Sequence, residues 1–346
     1  MSIVLETVDV FPFTGTPRSL RRQERLLLAE PIPGRGPVKL WQDLPALEAA
    51  HFDQDWAPVA FAAPRGVYES RHLRLEWQTM NFRQPFYHRN ADVDEMSFQI
   101  AGERTLMTEL GTVEHLPGDF SRIPRGVAHD NYGRQQSHLL FYVPAPAEEL
   151  QAPTRSSAAT FPPFPGWTPG DLNELTTECL GGPEHDVAIS PIDEQLLLDQ
   201  VGIETDRINI VHPPESGDGT TWVYRSRQVL IGRTNASASQ GREYRRHLDA
   251  DEIQYQIKGR RTLVTQRGSL EIEPGDFVRI PVGCAYTSIH AQPSSHVTVA
   301  SAISIPQAAP VSKKAEALRL DDVERLRQPV DAAHHTERAL VEGYAP

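Results

Sequence analysis

The feature that most constrains this fold is an internal duplication. Residues 87–129 align without a gap to residues 244–286 at a constant offset of 157, and 23 of the 43 aligned positions are identical. The similarity extends outward, because the tetrapeptide at 68–71 resembles the one at 224–227. Self-similarity of this strength predicts two copies of one folding unit in a single chain.

Each copy has the pattern of short strands separated by turns. Residues 96–100 and 253–257 alternate apolar and polar side chains, which is typical of a strand with two different faces. Pro-Gly-Asp at 117–119 and again at 274–276 is a turn signal. Many short strands at this spacing predict an all-β fold of two tandem jelly-roll β-barrels with minor helices.

The repeat also predicts how the chain is divided. A stretch rich in Pro, Ser and Thr at 151–171 marks the boundary between the copies. Helices are expected at 193–200 and 313–327. The predicted segments are an N-terminal arm (1–50), a first barrel domain (51–150), a linker with a short helix (151–205), a second barrel domain (206–308) and a helical tail (309–346).

Charge and composition exclude several classes of partner. The formal charge is −12, from 34 Lys and Arg against 46 Asp and Glu, and an acidic surface repels the phosphates of nucleic acid. No run approaches the roughly 18–20 apolar residues of a membrane span, and no secretory signal is visible. Two cysteines, Cys179 and Cys284, cannot build a disulfide framework. We therefore expect a soluble cytoplasmic protein without nucleic-acid or membrane partners.

Two motifs of the first copy resemble those of the cupin superfamily, G-x5-H-x-H-x3,4-E-x6-G and G-x5-P-x-G-x2-H. The matching residues are His88, Glu95 and Gly102 for the first motif, and Gly118, Pro124, Gly126 and His129 for the second. The resemblance covers both copies, about two-thirds of the chain, and it implies a bicupin.

The resemblance further implies that His88, Glu95 and His129 bind a metal ion and carry the chemistry. Asn90 stands where many cupins have another histidine, so the usual four ligands are reduced to three, and we expect Asn90 in the pocket rather than on the metal. Two histidines and one carboxylate suit Fe(II) and leave coordination positions open for substrate and O2. This departure disfavours the oxalate-decarboxylating bicupins.

The second copy serves as an internal control. At the four corresponding positions it has Arg245, His247, Glu252 and Tyr286, so both histidine ligands are lost while the glutamate persists. A buried carboxylate without a metal needs a cationic partner, and Arg245 is the expected one. One metal ion per chain is predicted.

Five polar residues are candidate substrate contacts: Arg83, Gln99, Arg125, Asn90 and Gln78. Neither arginine has a basic counterpart in the second copy, and each is either a partner for a substrate carboxylate or an ordinary loop cation. Gln99 has the same strand parity as Glu95 and should point into the barrel. Since Gln256 matches it in the metal-free copy, a structural role is an equal alternative.

The segment at 87–90 followed by Glu95 is similar to the ligand segment of homogentisate 1,2-dioxygenases, although the His–Glu spacing is one residue longer. The layout with one metal site in the first copy is also similar to gentisate and salicylate 1,2-dioxygenases, which use three histidines instead. These resemblances imply an extradiol-type Fe(II) dioxygenase that inserts both atoms of O2 into a hydroxylated benzoate. The partners would be a small aromatic acid and O2, and bicupins of this kind often form homo-oligomers.

Two other functions are open at this point. A metal-dependent isomerase or lyase acting on a small sugar or keto acid would need no O2. A non-catalytic cupin that only binds a ligand would need no metal.

Overall fold

In the computed structural model, the described residues are 2–28, 45–53, 62–144, 146–159, 167–180, 185–328 and 330. Over these ranges strands predominate and form two barrels joined side by side. The predicted all-β fold of two tandem barrels with minor helices is confirmed.

The elements follow the duplication in five groups. The N-terminal group is β1 (Ile3–Asp9), β2 (Arg18–Gln23), α1 (Arg25–Leu28) and β3 (Glu48–His51). The first barrel comprises β4 (Arg65–Glu69), β5 (Arg74–Met80), β6 (Tyr87–Asn90), β7 (Val93–Thr108), β8 (Gly111–His115), β9 (Phe120–Ile123) and β10 (His129–Pro144). The connecting group is β11 (Glu148–Glu149), β12 (Arg155–Ser156), β13 (Asp171–Glu178), β14 (His185–Asp193), α2 (Glu194–Ile203) and β15 (Asn209–Val211). The second barrel comprises β16 (Gly219–Arg225), β17 (Val229–Ala236), β18 (Ser239–Gln240), β19 (Glu243–His247), β20 (Asp251–Lys258), β21 (Arg261–Thr265), β22 (Gly268–Ile272), β23 (Asp276–Ile280), β24 (Tyr286–His290) and β25 (Ser294–Ser301). The C-terminal group is β26 (Lys313–Lys314) and a helix, α3, at 320–328.

A glycine at the same place in each copy lets neighbouring strands approach closely. Gly102 lies inside β7 with φ +64°, and a Cβ there would stand 2.1 Å from the Gln135 carbonyl oxygen. Gly259 has φ +78°, and a Cβ on it would likewise stand 2.3 Å from the Pro293 carbonyl oxygen. Any side chain would collide with backbone at these points, which explains why the motif ends in glycine.

Each barrel is completed by a strand that precedes the other barrel. β3 comes before the first barrel in sequence but pairs with β23 of the second. β15 comes before the second barrel but pairs with β9 of the first. These pairings cross the predicted domain boundaries and interlock the two halves.

The outer arms are exchanged in the same way. β1 of the N-terminal arm runs parallel to β19 of the second barrel, whereas β13 of the connecting segment runs parallel to β6 of the first. Both arms then reach a Glu-x-Leu-Leu-Leu sequence, at 24–28 and 194–198. The segment expected to be a linker therefore forms a wall of the first barrel.

The barrels share one hydrophobic core. Phe120 of the first barrel packs 6.3 Å from Tyr224 of the second, measured between ring centroids. Phe52 packs edge-on to Phe277 at 5.5 Å. Because apolar burial is the main stabilising contribution to folding, the two barrels are expected to unfold together.

Of the two predicted helices, the first lies where it was expected and the second begins later in the sequence. The helix expected at 193–200 is α2, and the Asp193 side chain caps it by accepting a hydrogen bond from the Gln195 amide. The helix expected at 313–327 was placed too early: 313–314 lie in β26, and the helix occupies 320–328. The rest of the predicted helical tail lies almost wholly outside the described residues.

Both cysteines are buried free thiols. Among the helices formed by the described residues, none has the length and apolar character required to cross a membrane.

Candidate metal centre

The three predicted ligands meet inside the first barrel. His88 lies on β6, Glu95 on β7 and His129 at the start of β10, where it pairs directly with His88. One donor atom from each residue lies within 4.8 Å of the others. Neighbouring strands thus bring together residues that lie as much as 41 positions apart (129 − 88) in sequence.

Surrounding groups orient two of these donors. His129 Nδ1 donates to the Val127 carbonyl at 3.2 Å, which leaves Nε2 as the free donor atom, 3.3 Å from Glu95 Oε2. Asn90 Nδ2 donates to Glu95 Oε2 at 2.9 Å, and the Cys179 thiol donates to Asn90 Oδ1 at 3.0 Å. The side chain of Asn90 therefore lies beside the ligand carboxylate and holds it in place.

The connecting segment closes this side of the centre. Thr177, on β13, has its hydroxyl within hydrogen-bond distance of His88 Nε2. The backbone amides of Cys179 and Leu180 both donate to the Asp92 carboxylate at 2.8 Å. A wall of the centre is thus provided by a strand that was expected, from the sequence, to be part of a linker.

The local electrostatics favour a neutral imidazole at His88 and an ionised carboxylate at Glu95. Burial, reinforced by the neighbouring His129, lowers the pKa of His88 to about 4. Burial alone would raise the pKa of Glu95, but the nearby imidazoles and the Asn90 hydrogen bond outweigh it and lower that pKa to about 2. Burial would lower the pKa of His129, but the contact with Glu95 reverses the effect and raises it.

This donor set fits a divalent first-row metal ion. Two imidazole nitrogens and one carboxylate within a few ångströms form the arrangement found around non-haem Fe(II). A second group, His51, Glu273 and Asp276, is also close enough to hold an ion. There, however, the Lys313 ammonium contacts both carboxylates at 2.9 and 2.7 Å, so a cation from the chain already neutralises them.

A cavity of about 480 Å³ opens beside the three ligands. Its wall follows the two-residue period of a strand, because alternate side chains of β5 and β10 face it while the intervening ones enter the shared core. The facing residues are Arg74, Glu76 and Gln78 on β5, and His138, Leu140 and Tyr142 on β10. The core-facing residues are Leu75, Trp77, Leu139, Phe141 and Val143.

A charged pair in this wall was not predicted from the sequence. Glu76 is 1% exposed, and its Oε1 pairs with the Arg74 guanidinium. Burial, opposed by Arg74, raises the pKa of Glu76. The sequence contained a pattern that indicates this pair. Arg74 and Glu76 alternate with the apolar Leu73, Leu75 and Trp77 in a strand that packs on the core.

Arg83 is not among the residues that line the cavity, so of its two predicted roles the structure favours the loop cation. Its guanidinium donates to Asp130 Oδ2 at 2.7 Å and also to Glu194 Oε1. Tyr87 donates to the same Glu194 oxygen at 2.8 Å. Arg83 therefore helps to fasten α2 to the first barrel.

Arg125 also lies away from the cavity lining. It is exposed, its guanidinium donates to the Asp92 carbonyl, and its backbone amide donates to Asp94 Oδ1 at 3.0 Å. The structure thus gives it a loop-anchoring role.

The two predicted glutamines differ. Gln99 points inward but is completely buried, and its Nε2 donates to the Ala101 carbonyl and to Gln136. Gln256 likewise donates to the Lys258 carbonyl and to Ser294 in the second barrel, so the structural alternative fits Gln99 better. Gln78 does line the cavity, although its Nε2 donates to the Ala62 carbonyl at 2.7 Å.

In the second barrel, a different set of side chains occupies the position equivalent to the candidate metal centre. Glu252 Oε2 contacts His247 Nε2 at 2.7 Å and accepts from the Tyr286 hydroxyl at 2.6 Å. No ion pair joins Arg245 to Glu252 within the described part of the chain, so the expected pairing is wrong; Arg245 is exposed instead. Burial would raise the pKa of Glu252, but these hydrogen bonds lower it to about 2.

No family model matches the sequence, and no curated protein matches it. Similar solved structures include a cupin 2 conserved barrel domain protein from Leptotrichia buccalis, with 6% identity and a TM-score of 0.46, covering 75% of this chain and 98% of that one. A deletion mutant of Bacillus subtilis oxalate decarboxylase has 13% identity and a TM-score of 0.45, covering 80% of this chain and 82% of that one. Similarities this weak carry no argument about what this chain does.

Proposed function

We propose that this chain is a metal-dependent cupin enzyme, namely an Fe(II)-dependent dioxygenase that opens the ring of a hydroxylated benzoate of the salicylate or gentisate type. The observation that carries the proposal is the convergence of His88, Glu95 and His129 on the wall of a cavity of about 480 Å³.

The number of ligands supports an oxygenase. His88, Glu95 and His129 would hold Fe(II) through three protein donors, and the bound metal would then supply Lewis-acid and O2 chemistry to a chelating substrate. A phenol with an adjacent carboxylate is a chelate of this kind. The small aromatic acid and O2 are thus the proposed partners.

The cavity supports a small, partly apolar substrate. Its volume falls in the range of small-molecule sites, about 300–1,000 Å³. Phe86, Leu140 and Leu175 offer apolar surface to a ring. Gln78 and Asn131 lie in the same wall and offer polar groups.

The protein residues keep the centre ready for this chemistry. His129 is held in one tautomer by the Val127 carbonyl, so its Nε2 needs no reorientation to bind a cation. Glu95 is held by Asn90 through Oε2. Fixed donors lower the cost of organising the site when substrate enters.

The test is O2 uptake by anaerobically Fe(II)-loaded protein, followed with ultraviolet spectra, against gentisate, homogentisate, salicylate and substituted salicylates. We expect one O2 consumed per ring, with loss of the aromatic band, and no uptake by His129→Ala. Tight metal binding without uptake on any of these compounds would contradict the proposal and favour an O2-independent isomerase or lyase. Ligand binding by protein that takes up no metal would favour a non-catalytic cupin.

A further inference from the structure

We infer that Arg74, held in the cavity wall by Glu76, is the residue that selects substrates carrying a carboxylate. This inference rests on the proposed function, because it names the specificity residue of the same site. Arg74 takes the role considered for Arg83 and Arg125 in the sequence, because the guanidinium groups of those two residues are bound elsewhere.

The placement of Arg74 leaves it able to bind an anion. Its side chain is 20% exposed and lines the cavity. Among the described residues, Glu76 is its one ion-pair partner, through Nη2. A guanidinium has five N–H donors in a planar fork, so donors remain for a carboxylate that enters the cavity.

The second barrel shows that the fold does not require this pair. Tyr142 pairs across the sheet with both Glu95 and Arg74, and Ala300 pairs in the same way with Glu252 and Leu230. The position of Arg74 in the first barrel is therefore held by Leu230 in the second.

The partner of Arg74 is missing there too. Leu140 pairs with Glu76, and Thr298 pairs with Gly232 at the same place in the second barrel. A Cβ on Gly232 would stand only 2.4 Å from the Thr221 carbonyl oxygen. The second barrel thus has no room for a side chain where the first has a buried carboxylate.

The cost of burial also argues for a ligand-binding role. Removing an ion pair from water is unfavourable, and hydrophobic residues of similar volume stabilise a core at least as well. An apolar residue stands at the Arg74 position in the barrel that lacks metal ligands. The pair occurs in the barrel where a substrate is expected, beside the three ligands.

The experiment compares salicylate with its neutral amide, salicylamide. Affinities are measured by calorimetry on the full-length Fe(II)-loaded protein under anaerobic conditions, where no turnover takes place. For the wild type we expect salicylate to bind about 10- to 100-fold more tightly than the amide, the range for a charge-assisted bidentate contact. Arg74→Met should keep its metal and lose about 10-fold or more of this preference, leaving only the part that chelation supplies, and Arg74→Lys should fall between.

Glu76→Gln is the second variant, and it keeps the inference testable if Arg74→Met fails to fold. Glutamine can still accept a hydrogen bond from Arg74 and so keep it in place, but it removes the competing charge, so the preference for salicylate should rise above that of the wild type. Arg279→Met is the matched control, since it removes a cation paired with Asp251 in the second barrel and should leave the preference unchanged.

Three results would overturn the inference: no preference in the wild type, an undiminished preference in metal-loaded Arg74→Met, or no change in Glu76→Gln. Failure of the proposed function gives a different result, because the binding preference would persist while no O2 is consumed.

Discussion

The two barrels share the same scaffold and differ at the candidate metal centre and in the cavity wall beside it. Asp119 of the first barrel contacts His212 Nδ1 at 2.9 Å, and Asp276 of the second contacts His51 Nδ1 at 2.8 Å. In each pair the histidine comes from the strand that precedes the other barrel, β15 or β3, or from the residue next to it. Such contacts fasten the exchanged strands and are independent of any metal.

At this centre, the two barrels differ in which atoms remain available to bind a metal ion. Both glutamates are buried and have a pKa of about 2. Glu95 lies beside two imidazoles whose nitrogen lone pairs can bind a cation. Glu252 instead forms hydrogen bonds with His247, Tyr286 and Gln254. The second barrel thus keeps the carboxylate, satisfies its oxygens with hydrogen bonds and has no histidine at the positions of His88 and His129.

Removal of one ligand should have the largest effect. His88→Ala or His129→Ala should weaken metal binding about 1,000-fold or more, because each ligand of a three-residue site carries several kcal/mol of binding free energy. The measurement is metal content per chain together with a competition titration. His247→Ala, in the second barrel, is the control and should keep one metal ion per chain. Stoichiometric metal in either first-barrel variant would disprove the assignment.

The exchanged arms offer a matched pair of substitutions. Glu194→Ala deprives Arg83 and Tyr87 of a buried carboxylate, and Glu24→Ala does the same to Arg327 and Tyr244. Each should lower the free energy of unfolding by about 3–5 kcal/mol, as expected when one member of a buried ion pair is removed.

Metal affinity separates these two variants. Only Glu194→Ala loosens the segment that carries Thr177 and Cys179, so only it should also weaken metal binding. Urea unfolding and metal titration test both effects. Equal metal affinity in the two variants would mean that the connecting segment does not support the centre.

Asn90→Ala should weaken metal binding about 10- to 100-fold, the range for groups that orient a ligand. Cys179→Ala, one hydrogen bond further from the metal, should have a smaller effect in the same titration. An unchanged affinity in Asn90→Ala would show that Glu95 needs no support.

Rebuilding the second centre sharpens the comparison further. Tyr286→His alone should bind no second metal ion, because Arg245 still stands at the other ligand position. Tyr286→His combined with Arg245→His should raise the metal content towards two ions per chain, with the added site the weaker one. A second ion in the single variant would show that two protein donors suffice there.

The smallest effect concerns pH. Burial would lower the pKa of His51, but its hydrogen bonds to Asp276 and Asp53 raise it above its usual value near 6.5. Its contribution to stability is thus fully present below about pH 6.5 and is lost as the pH rises through the raised pKa.

His51→Gln should remove this pH dependence and destabilise the protein by about 1 kcal/mol at low pH, the net contribution of a typical hydrogen bond. Urea unfolding between pH 5 and 9 measures it. An identical pH profile in the variant would exclude His51 as the source.

Sequence reasoning succeeded where local pattern was sufficient. The motif residues stand at fixed distances from glycine and proline turns, so strand alternation brought His88, Glu95 and His129 to one place without further information. It left two roles open for Arg83, because the acids that bind it lie 47 and 111 residues away. No local pattern reveals whether a cation is already paired.

The sequence by itself determined the duplication, the all-β class, the donor set of the first barrel and its loss in the second. These depend on short-range turns and on the two-residue period of a strand. Only the tertiary structure decided that each arm covers the other barrel and that Arg74 and Glu76 form the charged wall of the cavity. Both follow from strand pairing between distant segments, whose free energy depends on contacts that exist only after the two halves have folded together.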